Sequence, residues 1–165
     1  VQPNGVLFRE GVEGKIRRRL LEEDLIETVI SLADNLFYGT SIPASILILR
    51  DKKSSEKQNK VLMVKADELF RRGRAQNFFD PEHIEQVATW VSDYTTIEHK
   101  TKVVDIKEIE NEEWSLTPSL YIQSEAEHES VPLPEALDGF KEALRDVNDT
   151  QERLQKIFEK AELFQ

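Results

Sequence analysis

The sequence predicts an α/β fold, and three observations predict it. Leu25 to Leu32 (LIETVISL) and Ala44 to Arg50 (ASILILR) are almost continuously apolar and rich in β-branched residues, as strands buried on both faces are. Val61 to Lys65 (VLMVK) adds a third such run. Around them, apolar residues recur at helical spacing, so the expected sheet is parallel and covered by helices.

Composition sets the outer bounds. A chain of 165 residues suits one domain with an appendage. It is long enough to bury about 70% of its unfolded surface. Its 39% apolar content is too high for a disordered chain. No stretch approaches the roughly 20 apolar residues of a membrane span. No charged-then-apolar leader opens the chain, so secretion is not expected. The absence of Cys excludes disulfides and thiolate metal sites and fits a cytoplasmic location. A net charge of -10 argues against a general nucleic-acid coat, while leaving room for a local basic patch.

The elements follow in order. Val1-Gln2-Pro3-Asn4-Gly5 reads as the end of a strand turning at Asn4-Gly5, so a piece of a longer protein is expected. Val12, Ile16, Leu20 and Leu21 then share one helical face, with Lys15, Arg17, Arg18 and Arg19 on the other. Glu22, Glu23 and Asp24 stand at the helix end, where the dipole disfavours acids, and are expected to stop it in solvent. The loop Ala33 to Pro43 joins the first two strands. Asp51 to Lys60 has no apolar side chain and reads as a solvated loop.

From Ala66 the pattern turns helical and charged, through Arg71, Arg72 and Arg74. Asp80-Pro81 is a helix start, with Ile84, Val87, Ala88, Val91 and Tyr94 on one face. Val103 to Ile106 is a short strand, and Leu116 to Ser119 an extended turn. Residues 123–134 are acidic, carry two prolines and read as a linker. From Leu133 to Ala161, including Leu137, Phe140, Leu144, Val147, Leu154 and Phe158, apolar residues alternate spacings of three and four, a heptad seam. It reads either as a helix packing on its own domain or as a protruding helix that pairs with a partner. The linker and the length of the pattern favour the second.

Chemistry is sparse. There is no Walker loop, G-x-G-x-x-G, G-x-S-x-G or H-E-x-x-H. His83, His99 and His128 are far apart among acids, so no metal site is expected on them. The pairs Glu22-Glu23 and Glu112-Glu113 lie in polar stretches and read as solvated faces. The loop from Asp34 to Pro43 follows the carboxyl end of a buried strand, where open α/β sheets place ligands. Its adjacent Phe37 and Tyr38 either close off the core or form a platform for a planar ligand such as a base; the pattern by itself favours closure. The clusters Lys15-Arg17-Arg18-Arg19 and Arg71-Arg72-Arg74 are phosphate contacts or solvated faces. Gln76, Asn77 and Phe78 beside the second incline it toward nucleic acid.

The run PNGVLFREGVEGKIRRRLLEEDLIETVISLADNLFYGTSIPASILIL resembles the modification (methyltransferase) subunit of type I restriction-modification systems. KVLMVKADELFRRGRAQNFF and PEHIEQV are similar to that family's downstream segments, in the same order and spacing. The resemblance covers about residues 1–122. It implies an S-adenosylmethionine-dependent N6-adenine DNA methyltransferase with a Rossmann-like, mixed seven-stranded sheet. Residues 1–122 would be the C-terminal part of that domain, with Leu25 to Leu32 and Ala44 to Arg50 as its last two strands, the final one antiparallel, and Val1 to Asn4 as the tail of the strand before.

The family's glycine-rich cofactor loop and its N-P-P-[FY] tetrapeptide have no counterpart in these residues, so no catalytic residue is expected here. The resemblance places an aromatic that stacks on the flipped target base at Phe37, with Tyr38 second, and reverses the preference for core closure. Lys15, Arg17, Arg18, Arg71, Arg72 and Arg74 are candidate DNA contacts. It further implies that the helical segment 135–165 docks on the specificity subunit through Leu137, Phe140, Leu144, Val147, Leu154 and Phe158, in a complex that also holds a restriction subunit. The alternative is a non-catalytic interaction module that docks through the same helix; a third idea is a nucleic-acid binder acting through Arg71, Arg72 and Arg74.

Overall fold

The computed structural model describes residues 1–123 and 133–160. The chain divides into two units, 1–125 and 126–165. The first holds a five-stranded mixed sheet. Its strands are β1 (Gln2–Pro3), β2 (Ile26–Leu32), β3 (Ala44–Leu49), β4 (Lys60–Ala66) and β7 (Thr101–Asp105), in the spatial order β1-β3-β2-β4-β7. A separate ribbon pairs β5 (Arg71–Arg72) with β6 (Asn77–Phe78). Helices α1 (Val12–Glu22), α2 (Pro81–Asp93) and α3 (Ile106–Asn111) complete the unit.

The sheet is less parallel than its apolar runs predict. β2 runs parallel to β4, but β3 is antiparallel to both β1 and β2, and β7 is antiparallel to β4. Continuous apolar sequence reports cover on two faces, and direction does not follow from it. β4 shows this plainly: Val61 and Met63 enter one core, and Leu62, Val64 and Ala66 enter the other. The first core lies with Leu7, Leu21, Ile109 and Leu116, and the second with Val87 and Trp90 of α2. An irregularity between Ile26 and Thr28 lets Ile26 and Val29, three residues apart, share the first core. β3 departs from the expectation of full burial. Ala44 and Ser45 are buried, whereas Leu49 is exposed.

Three further expectations need correction. The polar stretch after β3 is not simply solvated. Lys53 is buried and bonds Asp24, and Lys57 reaches the buried Glu27 of β2 (3.2 Å). Of the acids at the end of α1, Glu22 and Glu23 are exposed as expected while pairing with Arg18 and Arg19, but Asp24 is turned to the largely buried Lys53 and not to solvent alone. The stretch after Ala66 is a turn and the β5–β6 ribbon in place of a helix. Gly73 is the local reason. A Cβ there would lie 2.4 Å from the Phe78 ring and 2.5 Å from the Gln76 carbonyl, so the turn closes tightly only on glycine.

α2 begins at Asp80-Pro81 as expected. His83 Nδ1 accepts the Asp80 amide (3.1 Å), doing the work of the usual Glu or Gln in a capping box. Its buried face is narrower than expected: Val87 and Trp90 are buried, Val91 and Tyr94 half-buried, and Ile84 and Ala88 exposed. Residues 101–105 form the expected strand, and the expected turn near Leu116 contains a 3₁₀ turn at Pro118–Leu120.

In the second unit α4 spans Leu133–Lys160, and Leu137, Phe140, Leu144, Val147 and Leu154 are exposed along it. The Phe158 side chain, Ala161, His128 and most of the expected linker lie outside the described residues. Among the described residues no helix is long and apolar enough to cross a membrane.

Candidate functional site

The parallel pair β2–β4 ends in register, with Leu32 opposite Ala66. Two connections therefore leave the same edge of the sheet side by side. From β2 comes the loop to Pro43, and from β4 comes the turn that leads into the β5–β6 ribbon. The carboxyl ends of parallel strands are where open sheets bind ligands.

Within the loop, Leu36 turns inward and packs against the second core. It closes the protein here, and the two aromatics after it do not. Phe37 is 40% exposed and Tyr38 96% exposed. Gly39 takes φ +78°, which a larger residue would resist, and the Thr40 hydroxyl accepts the Ile42 amide (3.1 Å). At its far end the Asn4 amide donates to the Pro43 carbonyl (3.1 Å). An apolar hollow of 230 Å³ lies between the loop and β1, lined by Val1, Gln2, Pro3, Phe37, Thr40 and Ile42 among others.

The ribbon is tied to the base of this loop by one residue. Asn77 is 9% exposed. Its main-chain amide donates to the Asn35 carbonyl (2.8 Å), and its side-chain amide donates to the Asp34 carbonyl (3.0 Å) and to Asp34 Oδ1 (3.2 Å). Asn35 Nδ2 returns a bond to the Ala75 carbonyl (3.2 Å). The Asn77 amide, expected to face a ligand, is therefore committed inside the protein. Arg71 is held too. It grips Asp80 with two hydrogen bonds (2.7 and 3.1 Å) and lies 4.5 Å over the Phe78 ring. This pairing raises the Arg71 pKa and lowers that of Asp80. Arg72 and Arg74 are exposed at the ribbon. In the turn after β4, Asp67 keeps one carboxylate oxygen buried without a hydrogen-bond partner, and burial raises its pKa.

The first basic cluster is elsewhere. α1 sends Leu20 and Leu21 into the first core, on the face of the sheet opposite the Leu36 and Ala66 side. Arg17 is 6% exposed and donates to the carbonyls of Trp114 (2.7 Å), Val6 (2.9 Å) and Arg9 (3.0 Å). Burial lowers its pKa. It is a structural cation, and this corrects its place among the DNA contacts. The signal was present in the spacing: Arg17 precedes Leu20 and Leu21 by three and four residues and so shares their face. Arg18 pairs with Glu22 and lies 5.0 Å over the Trp114 ring. Lys15 is exposed on α1. The structure thus unites the aromatic loop with the second basic cluster and leaves the first one apart.

The N-6 DNA Methylase family model matches residues 1–130. The type I restriction enzyme MjaVII methylase subunit of Methanocaldococcus jannaschii is 35% identical over 145 residues, covering 86% of this chain and 25% of that protein. The crystal structure of a type I restriction-modification system methyltransferase subunit from Streptococcus thermophilus superposes with a TM-score of 0.69 at 34% identity, over 74% of this chain and 25% of that one. A second solved structure, described by the complex assembly and conformational transition of the type I R-M system, shares the fold with a TM-score of 0.56 at 19% identity, over 96% of this chain and 34% of that one. The chain therefore spans about a quarter of the length of the MjaVII relative it matches.

Proposed function

The chain belongs to the N-6 DNA methylase family, and from that premise we propose that it is part of a type I restriction-modification methyltransferase subunit that receives the target base and docks the other subunits. The complete protein transfers a methyl group from S-adenosylmethionine to adenine N6 in DNA, in the cytoplasm. In this reading β2 and β3 correspond to the last two strands of its Rossmann-like sheet and β1 to the tail of the strand before, with β4 and β7 extending the sheet beyond β2. The antiparallel placement of β3 between β1 and β2 supports this.

The observation that carries the reading is the exposed Phe37-Tyr38 pair at the carboxyl end of the parallel strands, beside a cationic ribbon. Flipping a base out of the duplex costs a few kcal/mol. Stacking on an aromatic ring returns about 1–3 kcal/mol per base. Phe37 has the better geometry for this work. It is 40% exposed and so packs partly against the protein, leaving less ordering to be done when a base arrives. Tyr38 stands almost fully in solvent and acts second. Arg72 and Arg74 supply phosphate contacts that orient the duplex without reading its sequence.

The hollow under Phe37 is lined without a charged side chain that could pair with an ammonium or a carboxylate. S-adenosylmethionine binding and methyl transfer are assigned mostly to the remainder of the complete protein. On α4 the exposed stripe Leu137, Phe140, Leu144, Val147 and Leu154 docks the specificity subunit, with the restriction subunit joining the same assembly.

The test is Phe37→Ala in the complete methyltransferase with its specificity subunit. Methylation falls by about tenfold to a hundredfold while S-adenosylmethionine affinity is unchanged, as loss of about 1–3 kcal/mol of stacking implies. Full activity in Phe37→Ala and in Phe37→Ala/Tyr38→Ala would defeat the reading.

A further inference from the structure

We propose that Asn77 is a positioning residue for the base-receiving loop: it fastens the Asp34–Asn35 turn to the β5–β6 ribbon, so that DNA backbone gripped at Arg72 and Arg74 sets where Phe37 stands. This rests on the reading of Phe37 as the base-stacking residue.

Residues 34–43 contain no cation, so the loop has no phosphate grip of its own. The ribbon carries the nearby charge but is only two residue pairs long, and a two-stranded ribbon of that size does not hold its shape unaided. Each lacks what the other has. The bonds that join them converge on Asn77, which reaches across 43 residues of sequence to both Asp34 and its neighbour. Asn35 bonds back to Ala75 inside the ribbon turn, so the tie is made from both sides.

Two further features stiffen it. The tight turn at Gly73, whose amide bonds the Gln76 carbonyl (3.1 Å), fixes the tip relative to Asn77. The Arg71–Asp80 pair anchors the other strand to the start of α2. The Asn77 side-chain amide also engages Asp34 Oδ1, the acid at the root of the loop, so both the main chain and the side chain of Asp34 are held. A displacement at the ribbon therefore reaches Phe37 three residues beyond Asp34 with little flexible chain between.

The experiment uses the complete enzyme with its specificity subunit and two DNA duplexes, one carrying 2-aminopurine at the target adenine to report flipping and the unmodified duplex to report kcat. Asn77→Ala lowers the flipping fluorescence at saturating DNA and kcat by at least about tenfold each, as removal of one hydrogen bond to a carbonyl and one to a carboxylate implies, and leaves the DNA Kd within about twofold. Asn35→Gly keeps the left-handed backbone at that position and removes only the bond to Ala75. It shows the same split to a smaller degree and serves should Asn77→Ala fold poorly. A purely structural role would lower yield and Tm without separating kcat from Kd. If Phe37→Ala abolishes the fluorescence but both tie variants leave it unchanged, the coupling is wrong and the base loop stands. Loss of DNA affinity with normal flipping per bound complex also overturns it. If Phe37→Ala leaves fluorescence and methylation intact, the base-loop reading fails and takes the coupling with it.

Discussion

Lys53 and Asp24 form a buried ion pair across 29 residues of sequence, with Nζ 2.5 Å from Oδ1 and the lysine side chain 1% exposed. The ammonium also donates to the Lys60 carbonyl (2.8 Å), and Asp24 Oδ2 accepts the Asn59 amide (3.1 Å). The loop between β3 and β4 is thus closed onto the end of α1 by one lysine. Asp24 keeps contact with water, and Lys53 does not. That asymmetry makes the two partners unequal.

Asp24→Asn leaves the ammonium buried and is expected to cost about 3 kcal/mol, the low end for a broken buried pair. Asn tolerates the left-handed backbone there (φ 52°), so strain adds little. Lys53→Met removes the charge and leaves Asp24 able to hydrate, at a cost of about 1 kcal/mol. The double variant should lie near Lys53→Met, giving a coupling of about 3 kcal/mol in urea denaturation. Additive costs would show that the pair does not hold the loop.

Lys53 also shows how legibility divides. The strands were readable because their apolar runs are local and long, and the Asp80-Pro81 start because its chemistry sits in four consecutive residues. The role of Lys53 was not readable, since its partner is 29 residues away and nothing near it is apolar. Asn77 is the same case, with partners 42 and 43 residues away. The direction of β3 came from the family resemblance, because burial on two faces does not encode it. Phe37 and Tyr38 stand out in the sequence as a pair, whereas nothing local marks Leu36 as the residue that packs inward and frees both. The ribbon is not legible because a charged stretch around one glycine resembles a surface helix until Gly73 meets the Phe78 ring.

Acid and alkali should unfold the sheet at the same corner. Burial pushes the Glu27 carboxyl up, but hydrogen bonds from Arg50 and Lys57 outweigh it and hold its pKa below the usual 4.5. Its stabilisation is complete above that value and is lost as pH falls through the depressed one. Tyr94 behaves oppositely. Burial, then Glu27 and Asp24, push its pKa up to about 12 from 10.0. Its contribution is complete below pH 10 and is lost as pH rises toward 12. The hydroxyl proton is shared between the carbonyls of Glu27 (3.3 Å) and Lys60 (3.2 Å). Tyr94→Phe should cost about 1 kcal/mol at neutral pH and flatten the Tm profile between pH 10 and 12. Glu27→Gln should flatten the acid limb. An unchanged limb in either variant would remove that residue as its cause.

The α4 stripe predicts a loss confined to assembly. Leu144→Glu and Leu154→Glu place charge on an exposed face, so helix content and unit stability should change by less than about 0.5 kcal/mol. Co-purification with the specificity subunit should fall by at least about tenfold for the pair, since a buried unpaired carboxylate in a heptad seam costs several kcal/mol. Retained assembly by size-exclusion chromatography would show that a different surface docks the partner.

The arginines separate by what they touch, and one salt titration tells them apart. Arg17 satisfies three main-chain carbonyls from two segments, joining α1 to the N-terminal turn at Val6 and Arg9 and to the turn at Trp114. Arg17→Ala removes all three bonds and leaves partly buried carbonyls without their partner, and should cost about 2–3 kcal/mol of stability. Arg17→Lys should rescue little, because a single ammonium does not reproduce the fork that meets carbonyls in two directions. Arg72 and Arg74 carry no such duty. Their alanine variants should fold normally, weaken DNA binding uniformly across sequences, and each reduce the slope of log K against log salt by about 1. Arg71→Ala should fall between, since it frees Asp80 and unstacks Phe78 as well as removing a charge. A salt slope that drops for Arg17→Ala while the protein stays folded, and is unmoved by Arg72→Ala and Arg74→Ala, would transfer the DNA surface from the ribbon to α1.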